Sequence, residues 1–108
     1  MKSIVFLGNS LATIRGFPDA VRREAGYQLD RLQHGLDPTN WKPMPSIGRG
    51  VREIRVQEAG QFRVIYLASL PEQIAVLHAF HKKTRQTRKS DVHQAKVALR
   101  VVRARNGL

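Results

Sequence analysis

A length of 108 residues allows one small domain with a single core, expected to span residues 1–108. The 42% hydrophobic share argues against disorder, and the lack of cysteine excludes disulfides, thiolate zinc sites and cysteine nucleophiles. Lys plus Arg number 19 against 8 Asp plus Glu, a net charge of +11 that calls for a polyanionic partner, nucleic acid first and an acidic protein second.

That charge is lopsided, because residues 42–108 hold 14 basic side chains against 4 acidic ones. No apolar run has the length of a membrane span, and the amino terminus lacks a signal-peptide pattern, so a cytoplasmic protein is expected.

In chain order, KSIVFLG (2–8) reads as an opening strand closed by glycine. Asn9 or Ser10 is placed to cap a brief helix, LATIR, that stops at Gly16. Pro18 starts a longer helix, DAVRREAGYQLDRLQHG, whose buried stripe is Val21, Ala25, Leu29, Leu32 and Leu36. Residues 36–50 carry three prolines and two glycines and read as a long loop without regular structure. The only tryptophan, Trp41, lies in it and reads as a plug over the core edge rather than a base-stacking platform.

VREIRVQ (51–57) alternates, with Ile54 and Val56 on one side and Glu53 and Arg55 on the other. EAGQ makes a tight turn into FRVIYLAS (62–69), and LPEQ a second one into QIAVLHAF (73–80). A final helix is expected to begin at Ser90 with Asp91 at its positive end. Its buried stripe is Val92, Ala95, Leu99 and Val102, beside a basic stripe of Lys89, Lys96, Arg100 and Arg103. The order β-α-α-β-β-β-α specifies an α+β fold: a small antiparallel sheet with two N-terminal helices and one C-terminal helix.

Hairpin geometry brings the turn near residue 60 and the end of the third hairpin strand to one end of the sheet. Arg55, Arg63 and the run His81, Lys82, Lys83 are thereby expected to converge. Singly, such residues are solvated strand ends or guards against aggregation; the surplus of charge favours a site. His34 suits a helix C-terminus, and His78 reads as a satisfied buried imidazole on the face of Ile74, Val76 and Phe80. His81 and His93 flank the basic cluster. No set of ligands has metal spacing, and neither a P-loop nor GxGxxG occurs, so no cofactor or metal is expected.

Together and in order, SIGRG, VREIRV, FRVIYL, IAVLHAFHKKTRQT and KSDVHQA resemble the RelE/ParE toxin superfamily. Within it they are most similar to HigB-like, phage-derived toxins of type II toxin–antitoxin pairs. The resemblance covers almost the whole chain. It implies a RelE-like fold and a ribosome-dependent messenger RNA endonuclease, which uses the ribose 2′-hydroxyl to attack the adjacent phosphate without a metal. It further implies that Arg63 clamps the phosphate, that Arg55, Lys82 and Lys83 add positive charge, and that His93 serves in acid–base chemistry. His81 is a catalytic candidate from its place beside the cluster alone. Arg52, Arg85, Arg88, Lys89, Lys96 and Arg100 are implied to grip RNA backbone. Glu53 departs from the pattern, standing where well-known members have lysine, and Tyr66 is a weaker candidate. Implied partners are a helix-turn-helix antitoxin, the ribosome with its messenger, and operator DNA only through the antitoxin complex, with no membrane. Two other readings fit the charge equally: a ParE-like inhibitor of DNA gyrase, and a non-toxic nucleic-acid-binding module.

Overall fold

The computed structural model describes residues 1–107. Strand β1 (Ser3–Phe6) leads into helices α1 (Ser10–Arg15) and α2 (Asp19–Gln33). Strands β2 (Trp41–Pro43), β3 (Val51–Gln57), β4 (Gln61–Leu67) and β5 (Gln73–Lys82) follow, and helix α3 (Lys89–Arg105) closes the fold. The five strands form one sheet in the order β1-β5-β4-β3-β2. The hairpin strands β3, β4 and β5 are antiparallel as expected, while β1 joins β5 in parallel, so the sheet is mixed.

Two apolar clusters explain why helices lie on both faces. Val21, Ala25, Leu29 and Leu32 of α2 pack with Ile14 and Phe17 onto Ile54, Val56, Val64, Tyr66 and Val76. Leu36, expected on that stripe, lies beyond the helix and is exposed. On the opposite face Ala95, Ala98, Leu99 and Val102 of α3 meet Val51, Ile65, Leu67, Leu77 and Phe80. Each fully buried aliphatic side chain contributes about 1.5–3 kcal/mol, which is what holds α3 to the sheet.

Residues 36–50 are less irregular than their prolines suggest. Trp41 pairs with Ile54 and Pro43 with Arg52, making β2 an edge strand. Proline is tolerated there because an edge has one side that needs no ladder hydrogen bond. Gln28 ties the preceding segment to α2: its amide donates to Thr39 Oγ1 (2.7 Å), and its oxygen accepts from the Thr39 backbone N–H (2.8 Å).

A β-bulge in β5 corrects the expected facing of His78. Ile65 lies opposite His78 but Tyr66 lies opposite Val76, so Leu77 is an extra residue. After the bulge, side chains swap sides: His78 pairs with Ile65 and faces α3, away from Ile74 and Val76. His78 is buried and satisfied all the same, because its Nε2 lies 2.7 Å from Asp91 Oδ1 in the first turn of α3. That contact ties the first turn of α3 to β5. The helix starts at Lys89 with Arg88 before it, so Ser90 lies inside the first turn and does not cap it.

Further along α3, Gly48 lies so close to the helix that a Cβ there would stand 2.5 Å from Leu99 Cδ2. Gly48→Ala is therefore expected to cost about 1–3 kcal/mol through overpacking. The measurement is a lowered denaturant midpoint with an unchanged slope.

Candidate functional site

The turn joining β3 to β4 holds Ala59 at φ 53° and Gly60 at φ 131°, a left-handed geometry that reverses the chain in three residues. It locks a register in which cross-strand partners share a face. Arg55 lies opposite Arg63, which lies opposite Phe80; one step out, Gln57, Gln61 and Lys82 line up. One step in, Lys42, Glu53, Ile65 and His78 do the same. All of these belong to the α3 face, at the end of the sheet where β5 runs out into residues 83–88.

Two guanidinium groups directly opposite each other repel. The fold answers with Glu53, whose side chain is 2% exposed. Its carboxylate lies 3.1 Å from Arg63 Nε through Oε1 and 3.6 Å from Arg55 Nε through Oε2. These are ion contacts rather than aligned hydrogen bonds, since Glu53 Oε1 and both arginine Nε atoms are buried without one. Arg63 finds its hydrogen bonds elsewhere, donating to Phe62 O (3.0 Å) and to Gln61 Oε1 (3.3 Å). Burial lowers its pKa, Glu53 opposes that, and Arg55 adds to it; an arginine stays charged regardless.

Lys82 feels the same cluster. Burial lowers its pKa first, then Arg63, with Glu53 opposing and Arg55 and Lys42 adding smaller pushes downward. Arg55, Arg63, Lys82 and Lys42 against Glu53 leave a local excess of three positive charges. Of the 14 basic residues in 42–108, only Arg52, Arg55 and Arg63 have a carboxylate partner among the described residues.

The other sequence-expected residues fall in different places. Lys83, Arg85 and Arg88 are exposed on the segment after Lys82, and Lys89, Lys96 and Arg100 are exposed on α3. His81 lies on the opposite face of the sheet from Arg63, stacked on Phe62 with ring centroids 4.3 Å apart. His93 is exposed on α3, lining a groove of about 440 Å³ with Leu77, His78 and Val97. That places it near His78, four residues or about 13 Å along β5 from Lys82. Arg52 faces the α1–α2 side, 3.1 Å from Asp37 and 4.1 Å over the Trp41 ring. Tyr66 is fully buried on that same side, and burial raises its pKa. The structure thus gathers Arg55, Arg63 and Lys82, and leaves His81, His93, Arg52 and Tyr66 elsewhere.

Sequence reasoning missed Glu53 and Lys42 as members of the cluster. The pattern could have found them: Glu53 shares the alternation phase of Arg55, and Lys42 shares the β2–β3 ladder once β2 is recognised. Among the described residues no three His, Asp or Glu gather as a metal site needs, and no helix is long and apolar enough to cross a membrane.

Residues 12–100 match the family described as Phage derived protein Gp49-like (DUF891). The chain belongs to that family. Gp49-like proteins are commonly toxins of toxin–antitoxin systems, and membership is compatible with that role here. It also suggests an antitoxin as a partner of this Gp49-like chain. No match to a curated protein was found.

Removing the central carboxylate tests its part in the cluster. Glu53→Gln leaves Arg55 and Arg63 facing each other uncompensated and is expected to cost about 3–5 kcal/mol. Adding Arg55→Gln should recover part of the loss in a double-mutant cycle read by denaturant unfolding. A Glu53→Gln protein as stable as wild type would show that the carboxylate does not hold the pair.

Proposed function

We propose that this Gp49-like protein is a toxin of the RelE/HigB type, with residues 1–108 acting as one domain that cleaves messenger RNA on the ribosome. The observation that carries the reading is the layer of Arg55, Arg63 and Lys82 on one sheet face, with Glu53 holding the arginines in place.

The chemistry such a site suits is attack by a ribose 2′-hydroxyl on the neighbouring phosphate, giving a cyclic phosphate and a free 5′-hydroxyl. The pentacovalent transition state gains negative charge. Fixed guanidinium groups stabilise it more than the ground state, and they do so without reorganising. Arg63 is immobilised by Glu53, Gln61 and Phe62 O. Arg55, more exposed, can meet a phosphate directly. Lys82, with its pKa pulled down, exchanges a proton at neutral pH at lower cost than an ordinary lysine, and its place in the layer favours it over His93 for proton transfer. Exposed Arg85, Arg88, Lys89, Lys96 and Arg100 supply the phosphate contacts that position RNA.

Induced expression is expected to halt bacterial growth and to produce cuts in translated messages, mapped by primer extension. Intact messages together with inhibited supercoiling by gyrase would replace this reading with the ParE-like one. Arg63→Ala would strip Glu53 of its nearest partner and so reports stability as much as chemistry. Arg63→Lys keeps a cation there and loses the planar fork, and it is expected to reduce cleavage by about 10²-fold.

Lys82→Met separates function from folding more cleanly. A lysine whose folded pKa lies below its ordinary value destabilises the fold while it is charged. That penalty is complete below the folded pKa and disappears as the pH rises towards the ordinary value of 10.5. The variant should therefore lose cleavage while being at least as stable as wild type at pH 7, with any advantage closing by about pH 10.5. Undiminished cleavage would remove Lys82 from the site.

A further inference from the structure

A second feature lies at the β2 edge, where Trp41 and Arg52 face away from the arginine layer. Trp41 is half-buried, and its indole lines an open groove of about 530 Å³ with Pro43, Pro45, Arg49 and Arg52. That volume falls within the roughly 300–1,000 Å³ of small-ligand sites. Among the described residues no acidic side chain lines it. Arg52 is committed, 3.1 Å from Asp37 and 4.1 Å over the indole. Arg49 is exposed and has no carboxylate partner among the described residues. A plug over the core edge would explain the buried half of Trp41, but it would need neither an open groove nor a free cation beside it.

We propose that this groove is a nucleotide subsite, in which a base of single-stranded RNA stacks on Trp41, on the indole face that Arg52 leaves uncovered, and its phosphate meets Arg49. Aromatic platforms beside arginines bind single strands because every base offers a π-face while the backbone offers charge. The walls are stiff: two prolines restrict the chain, and Asp37 restrains Arg52, so little freedom is lost on binding. The neighbouring residue Lys42 points to the other face, where its charge acts on Lys82. One RNA strand crossing the β2 edge would thus touch Trp41 and then the arginine layer.

The inference rests on the reading that the protein acts on RNA, yet it can be tested apart from cleavage. Trp41 is the only tryptophan, so its emission reports on the groove alone. The probe is a 2′-O-methyl hexanucleotide, which binds but offers no 2′-hydroxyl for attack. Saturable quenching is expected, weakened by salt. Arg49→Ala should reduce the affinity at least fivefold, and Trp41→Leu, followed by anisotropy of a labelled hexamer, by roughly 5- to 150-fold, the range base–aromatic stacking supports. Circular dichroism should show both variants folded.

The proposal is overturned if the hexamer binds without changing Trp41 emission, if Trp41→Leu binds like wild type, or if nothing binds at low salt. Equal quenching by inorganic phosphate alone would also overturn it, by showing an anion site with no place for a base. Quenching without message cleavage in cells would keep the subsite and remove the endonuclease reading. Cleavage with unperturbed Trp41 would do the reverse.

Discussion

The arrangement of this protein's cationic face depends on one buried carboxylate. Strand pairing sets Arg55 and Arg63 side by side with Cβ atoms about 5 Å apart, a juxtaposition that is destabilising by itself. Glu53, one residue pair inward on the same face, reaches both. An ion pair near 4 Å gains about 4 kcal/mol at an effective dielectric of 20, while desolvating each ion costs several kcal/mol. The triad is therefore close to neutral for stability. What it supplies is position: a guanidinium held in a dry wall and a second one at the rim, with the surplus charge of Lys82 and Lys42 around them.

The rest of the fold serves to keep that end of the sheet open. Helix α3 covers Val51, Ile65, Leu67 and Leu77, and its first turn is pinned at His78 by Asp91. Beyond that point Phe80 and Arg63 are still buried, Lys82 is partly exposed, and Lys83, Arg85, Arg88 and Lys89 are exposed. The bulge at Leu77 matters here. It turns His78 and Phe80 towards α3, so the helix has a polar anchor and the arginine layer an aromatic neighbour. The left-handed turn at Ala59 and Gly60 fixes the register that makes Arg55 oppose Arg63, and local strain of this kind persists where surrounding structure overrides it.

Much of this was legible in the residues. The alternation in VREIRVQ fixes β3 at its observed bounds, and the short connections on either side of FRVIYLAS require antiparallel neighbours. From those two facts the meeting of Arg55 and Arg63 follows, and so does the arrival of Lys82 at that end of the sheet, because hairpins bring alternate turns to the same end. That Lys82 shares their face depends on the bulge. The two N-terminal helices follow from a 3.6-residue apolar period and the glycine at position 16. Such patterns are local, and local chemistry writes them.

The remainder depended on contacts between distant segments. That β1 lies parallel to β5 depends on which edge of the sheet is free, and no residue of SIVF encodes it. That β2 forms at all depends on β3 offering an unpaired edge to a segment rich in proline. A bulge moves a single residue, yet it reverses the facing of His78 and Phe80 and sends His81 to the side of Phe62. An acid in an alternating strand reads as solvent-facing until a neighbouring strand delivers an arginine against it. Composition and period thus determined the elements and their charge. Only packing decided which charges are buried together, because the cost of burying an ion is set by its partners and not by its place in the chain.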